Sequence, residues 1–274
     1  MTQTDTQIRV VVANQMSDSV LCSAGRGVTT KVDCLACALA LKNTCGFDYA
    51  LLKAMYSDKQ RFGIHVTDLT GCLRRSYYDK TVDAMEYPHQ NIARFLGTSV
   101  HKALELDDPN LVSEMHLEGF NVVGTADVVY TNGRIVDYKT TRYMNPAKLP
   151  YGSHVTQINI YAAMLRTQGH PVTSAAIQYI DLSGATKCRA CSIPYEPNEG
   201  GYAACPQCAN RVPTAHLGAL LVEVSLEDNP TVVDWINLRE KMLTLSLETS
   251  TLPDPEVGFL CNYCAFKTQC QEAQ

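Results

Sequence analysis

The stretch Gly124–Thr141, GTADVVYTNGRIVDYKTT, constrains this chain more than any other. Two runs rich in β-branched and aromatic residues flank Asn132-Gly133, a pair that marks a tight hairpin turn. Asp127 lies in the first run, Asp137 in the second, and Lys139 follows two residues on. Charges that point into a core are expensive unless paired or bound to a cation, so these three either face solvent or form a site. The loop length decides which. A two-residue loop pairs Asp127 with Tyr138 and sends the acids to opposite faces. A three-residue loop, Thr131 to Gly133 with Gly133 at the left-handed bulge position, pairs Tyr130 with Arg134. It sets Asp127 opposite Asp137 and keeps Lys139 on the same face. If the site is real, the loop therefore has three residues. Directly opposed carboxylates repel unless a cation neutralises them, and a hard cation such as Mg²⁺ or Mn²⁺ takes oxygen ligands of this kind. Lys139 would then stand beside the cation, placed to hold an attacking water or to offset charge on a phosphoryl group. A solvent-facing hairpin with loosely paired charges is the bland alternative.

The rest of the chain places this hairpin in an α/β frame. Residues 47–60 and 92–105 have helical apolar spacing, the latter at positions 92, 95, 96, 100 and 104. Extended runs follow at 111–117, 121–130 and 134–141. A helix is expected at 155–167, strands at 175–182 and 217–226, and a helix at 231–248. Hairpin-joined strands followed by a helix and a further strand imply an α/β fold with a mixed sheet flanked by helices. On the helix before the hairpin, His101 offers an imidazole, with Glu105 one turn on. On the helix after it, Gln157 and Tyr161 share a face.

His101, then GTAD at 124–127, IVDYK at 135–139 and QINIY at 157–161, resemble in order and spacing the motif series of the RecB-family PD-(D/E)XK nucleases. The resemblance runs from about residue 64 to 270. It implies a restriction-endonuclease-like core that hydrolyses DNA phosphodiesters with Mg²⁺ or Mn²⁺. His101, Asp127 and Asp137 would hold the metal and Lys139 would assist the water. Gln157 and Tyr161 would position the site and the strand. The resemblance leaves the roles of Glu105 and Glu114 unassigned.

Twelve cysteines subdivide the chain. In a reducing compartment CxxC spacing argues for metal rather than disulfides. Cys261, Cys264 and Cys270 form CxxC-x5-C, and isolated Cys72 is the natural fourth ligand; spacing alone fits zinc or an iron–sulphur cluster. One cysteine before the nuclease motifs and three after them is similar to the iron–sulphur subgroup of the family, which includes the AddB type and stand-alone CRISPR-adaptation exonucleases. That resemblance implies a 4Fe–4S cluster that staples the chain ends. Cys188-x2-Cys191 and Cys205-x2-Cys208 read as a zinc ribbon inserted between two strands. Cys22, Cys34, Cys37 and Cys45 offer a second zinc set, the alternative being that some are buried small hydrophobes. The expected domains are an N-terminal Cys-rich module at 1–62, a nuclease core at 63–274, and the ribbon at 186–212.

Composition limits the partners. A formal net charge of −5 gives no global support for nucleic-acid binding, so DNA contact would need a local basic patch. Arg74, Arg75 and the neighbouring Tyr77 and Tyr78 are the candidates for phosphate contact and stacking, the competing reading being core tyrosines and surface arginines. No apolar run reaches the roughly 18–20 residues that span a bilayer, and the N-terminus lacks a basic-then-apolar signal, which implies a cytoplasmic protein without membrane contact. No GxxxxGK[ST] occurs, so a helicase role would need a second polypeptide. Single-stranded DNA or DNA ends are the expected substrate, in CRISPR adaptation, recombination or repair, and an integrase or a ring of copies are further expected partners. The reading from a different class is a non-catalytic nucleic-acid- or partner-binding module whose metals are structural.

Overall fold

The computed structural model describes residues 18–40, 45–56, 62–82, 88–141, 148–182, 191, 202–204, 207–208, 211–213 and 219–273. The chain divides into two compact units, one formed by residues 1–96 with 237–274, the other by residues 97–236. This division differs from the boundary expected at 62/63: the expected core draws on both units.

In the first unit, β1 (Ser19–Leu21) and β2 (Val28–Thr30) form an antiparallel hairpin. The Thr30 hydroxyl accepts the Asp33 N–H and caps α1 (Lys31–Leu39). Asp48 caps α2 (Tyr49–Met55) in the same way through the Leu51 N–H. The two helices close a small core of Ala38, Phe47, Leu52 and Met55, with Cys34 and Cys45 packed against it. A short β3 (Ile64–His65) leads into α3 (Val66–Leu69) and α4 (Leu73–Thr81).

Apolar periodicity did not reveal α4, because two of its inward positions are cations. Arg74 and Lys80 are both buried. Each finds polar partners, as buried charge requires. Lys80 Nζ sits 2.8 Å from Asp68 and donates to the Gly63 carbonyl, and Arg74 Nε donates to the Pro253 carbonyl at 2.7 Å.

The helix α5 (Ile92–Ala103) precedes the strands of the second unit: β4 (Leu111–Gly119), β5 (Val122–Tyr130) and β6 (Arg134–Thr141). Then come α6 (Gly152–Thr167), β7 (Ser174–Asp181), the small antiparallel pair β8 (Tyr202–Ala204) and β9 (Arg211–Pro213), and β10 (Ala219–Val224). The long α7 (Asn229–Thr249) and short α8 (Lys267–Glu272) follow. Strands of the second unit pair in the order β10-β7-β6-β5-β4. Only β6 and β7 run parallel, joined by α6; the other pairs are antiparallel. This is the expected α/β fold with a mixed sheet. α6 packs across β4, β5, β6 and β7, and every residue from Gln157 to Leu165 is buried, as befits a helix apolar on most sides.

The β5–β6 hairpin takes the three-residue loop. Val128 pairs with Val136 and Val129 with Ile135, a register that continues to Tyr130 opposite Arg134 at one end and Asp127 opposite Asp137 at the other. The Gly133 N–H donates to the Tyr130 carbonyl, and Gly133 has φ +85°, in the left-handed region that side chains other than glycine's disfavour. A Cβ there would also lie 2.7 Å from the Pro171 carbonyl oxygen. Gly133→Ala is expected to lower the unfolding free energy by about 1–2 kcal/mol from backbone strain, with the Pro171 clash adding to it. Urea denaturation of both proteins checks this; an unchanged midpoint would show that the loop does not hold the register.

Candidate active site

Cross-strand pairing builds a row of carboxylates. Ser113 pairs with Val128 and Met115 with Ala126, so the β4–β5 ladder puts Glu114 opposite Asp127, just as the β5–β6 register puts Asp127 opposite Asp137. Glu114 has φ +49°, a sparsely populated conformation for a residue with a side chain, and such strain collects at functional positions. His101 reaches the row from α5: its Nδ1 lies 3.2 Å from Asp127 Oδ1 and 3.5 Å from Glu114 Oε1. One ligand atom each from His101, Glu114 and Asp127 lie within 4.8 Å of one another. Two carboxylates and an imidazole at that spacing suit a divalent cation such as Mg²⁺ or Mn²⁺. The other Asp127 oxygen accepts the Tyr138 N–H at 2.6 Å, which locks the carboxylate.

Asp137 is the deepest of the row, only 1 % exposed. Its carboxylate accepts no well-formed hydrogen bond, yet Lys139 Nζ stands 2.6 Å from Oδ2 in an ion pair. Burial, helped by the Asp127 charge and opposed by Lys139, pushes its pKa up to about 6. The hydrogen bonds to Asp127 and then Glu114 push His101 up to about 10. In the metal-free protein His101 is therefore a cation at neutral pH, standing among the carboxylates where a metal ion would sit. Gln157 and Tyr161, both buried on α6, bond to each other: Gln157 Nε2 donates to Tyr161 Oη at 2.9 Å. Burial pushes the Tyr161 hydroxyl upward, and the Asp137 and Asp127 charges add to the effect, so this pair backs the acid row.

The sequence expectations map onto this geometry unevenly. His101 and Asp127 meet as expected. Glu114, unassigned from sequence, completes their cluster, and Asp137 stands next in the row against Lys139. The signal for Glu114 was its register on β4, which only a fixed strand pairing exposes. Glu105 lies outside the cluster. The strand-contact reading of Arg74 and Tyr77 is corrected: both are buried, 7 % and 9 % exposed, so neither presents a surface to DNA. Arg75 remains exposed and pairs loosely with Asp79 at 3.6 Å.

The cysteines of the first unit gather in two sets. Cys72, Cys261, Cys264 and Cys270 line one cavity of about 760 Å³, together with Tyr78 and Phe266. Cys72 occupies the N-cap position of α4, without a side-chain capping bond. The Gly258 N–H points to Cys261 Sγ at 3.4 Å, and Arg74 donates to Cys270 Sγ at 3.8 Å. In the other set, burial raises the Cys34 thiol, with smaller upward contributions from Cys45, Cys22 and Cys37, and Tyr56 Oη donates to Cys34 Sγ at 3.4 Å. Backbone amides of Arg26 and Ala24 lower the Cys22 pKa. Among the described residues no three thiols of either set lie within 4.8 Å of one another. A zinc tetrahedron with bonds of about 2.3 Å would hold its sulphurs about 3.8 Å apart. Of the ribbon, Cys191 and Cys208 are described, Cys208 lying between β8 and β9, while Cys188 and Cys205 lie outside the described residues.

Residues 90–271 match the family model of the PD-(D/E)XK nuclease superfamily. The chain belongs to that superfamily. No curated protein matches it. Two solved structures are similar to it. The crystal structure of SSO0001 shares 19 % identity with a TM-score of 0.48, covering 81 % of this chain and 94 % of its own. A phage-related exonuclease from Haemophilus somnus 129PT shares 10 % identity with a TM-score of 0.35, covering 69 % and 94 %. The PD-(D/E)XK nucleases hydrolyse phosphodiesters with Mg²⁺ or Mn²⁺, and the His101, Glu114 and Asp127 cluster has the donor set for such an ion. Among the described residues no helix is long and apolar enough to cross a membrane.

His101 would have to give up its proton to ligate a metal ion here, which ties affinity to pH. Below about pH 10 His101 is protonated in the free protein, so Mn²⁺ affinity should rise about tenfold per pH unit between about 6 and 10. Below about pH 6 protonation of Asp137 steepens the fall. Titration calorimetry in buffers of different ionisation enthalpy counts the released proton; an affinity that is flat between pH 7 and 9 would remove His101 from the ligand set.

Proposed function

We propose that this chain is a metal-dependent DNA nuclease acting on single strands or DNA ends. The observation that carries the reading is the row Glu114–Asp127–Asp137, joined by His101 and flanked by Lys139 at 2.6 Å from Asp137. Sealing a carboxylate beside a lysine costs free energy, and such perturbed groups concentrate at functional sites. His101, Glu114 and Asp127 hold the cation, with Asp137 next in line. The divalent cation, when bound, supplies Lewis-acid polarisation of the phosphate and acidifies water. Lys139, held by Asp137, is aimed at the same place. There its ammonium orients the attacking water and offsets charge that develops on the phosphoryl oxygens. The Tyr161 and Gln157 pair, locked behind the row, keeps the acids from spreading when charge changes.

The cysteines belong to the same proposal as structural elements. A 4Fe–4S cluster on Cys72, Cys261, Cys264 and Cys270 fits their shared cavity and the N–H donors aimed at the sulphurs. It would join the segment that starts α4 to the C-terminal segment. Zinc on Cys188, Cys191, Cys205 and Cys208 rests on their paired CxxC spacing. Zinc on Cys22, Cys34, Cys37 and Cys45 rests on the nearness of Cys22, Cys37 and Cys45 to Cys34, the four thiols coming from three segments. CRISPR adaptation, recombination and repair are the settings in which strand trimming of this kind is used.

End-labelled single-stranded DNA with Mn²⁺ tests the reading on anaerobically purified protein. Wild type should cleave, and Lys139→Ala should be slower by about 100-fold or more, with the fold intact by circular dichroism. A wild type that keeps its metals and does not cleave would leave the binding-module reading in its place. Independently, Cys264→Ser should lose the bound iron and the visible charge-transfer absorption while zinc content stays the same. Iron retained in that variant would exclude the cluster from this cavity.

A further inference from the structure

His154 stands beside the acid row, and neither the motif series nor the metal cluster accounts for it. It lies in the first turn of α6, three residues before Gln157 and seven before Tyr161, so all three share one side of the helix. Parallel pairing sets Tyr179 of β7 directly beside Lys139 of β6, with both side chains on one face. Tyr179 is almost wholly buried. Its hydroxyl accepts the Tyr151 N–H at 3.3 Å and lies 3.0 Å from His154 Nδ1.

A buried hydroxyl needs an acceptor for its own proton. Among the described residues the only one recorded for Tyr179 is His154 Nδ1. That fixes the imidazole in the tautomer with its proton on Nε2. Burial, and then the Lys139 charge, hold the ring neutral with a pKa of about 4. The rings of Tyr151, edge-on at 5.4 Å, and Tyr179, tilted at 5.8 Å, hold it in place from two sides. Among the described residues Nε2 makes no hydrogen bond, it is not one of the sealed atoms that lack a partner, and His154 is only partly buried, so its N–H has access to solvent.

We propose that His154 is a further catalytic residue: its Nε2–H, fixed by Tyr179, donates to a phosphate oxygen of the strand that reacts beside Lys139. A cationic lysine already marks that place as one for an anion. A neutral N–H adds a directed donor there without adding a charge that would repel Lys139 or the metal. Tyr179 is the positioning residue, acting only through the tautomer it imposes. The inference rests on the nuclease reading and deepens it by assigning the strand's phosphate a second protein donor.

The test compares wild type, His154→Asn, His154→Gln and Tyr179→Phe in single-turnover cleavage of end-labelled single-stranded DNA with saturating Mn²⁺. Asparagine keeps an amide near Nδ1 but cannot reach as far as Nε2; glutamine can place an N–H there. His154→Asn should cleave at least about tenfold more slowly, the loss expected for one hydrogen bond to a charged group, with Mn²⁺ affinity and melting temperature unchanged. His154→Gln should recover most of the rate. In wild type the ¹⁵N signals of His154 should report the Nε2–H tautomer at pH 7, and Tyr179→Phe should lose that preference. Equal rates for wild type and His154→Asn would overturn the inference while leaving the nuclease reading standing. So would equal losses in the Asn and Gln variants with a lowered melting temperature, which would mark a packing role. A wild type that does not cleave at all would overturn the nuclease reading, and the inference with it.

Discussion

Electrostatic balance in the row Glu114–Asp127–Asp137 governs the second unit. Three carboxylates on adjacent strands repel one another, and the sheet tolerates them only because cations are built in among them. His101, carrying its proton up to about pH 10, and Lys139 supply two positive charges to the three negative ones. A divalent cation that displaces the His101 proton brings the set to neutrality. The row thus carries one net negative charge with His101 protonated, and none once a divalent cation replaces that proton.

Every element around the row follows from holding it. The three-residue loop at Gly133 sets the register that aligns Asp127 with Asp137. The Tyr138 N–H fixes one Asp127 oxygen and leaves the other for His101. α6 seals Asp137 from behind with a side that is buried from Gln157 to Leu165. That sealing removes water from the carboxylate and raises its pKa, and the chief compensation is the ammonium of Lys139, with the His101 charge adding less. Substituting Lys139 would strand a buried charge as well as remove a catalytic group, so loss of rate must be read against stability.

Much of this was legible from residue types. β-branched runs around Asn132-Gly133 predicted the hairpin, and the demand that both acids share a face predicted its odd loop. Helical spacing located α5, α6 and α7. What stayed hidden was hidden for physical reasons. Glu114 takes its role from a cross-strand register and a positive φ, neither of which its neighbours in sequence reveal. The helix α4 escaped because Arg74 and Lys80 occupy inward positions that a hydrophobic pattern reserves for apolar residues. The same burial explains why Arg74 and Tyr77, which in sequence resemble a strand-binding pair, are interior supports.

His154 shows the same limit from another side. In sequence it is a lone histidine at a helix start, where a satisfied boundary residue is the ordinary reading. Its distinction comes from Tyr179, which only the parallel β6–β7 pairing brings beside Lys139. A buried tyrosine must place its proton, and here the imidazole is the acceptor within reach. The tautomer is therefore set by packing rather than by pH. A histidine with a protonated, solvent-facing Nε2 and a depressed pKa cannot act as a proton reservoir at neutral pH. It can act as a fixed dipole. That is the complement to Lys139, whose charge attracts the phosphate but whose flexible stem gives it little direction.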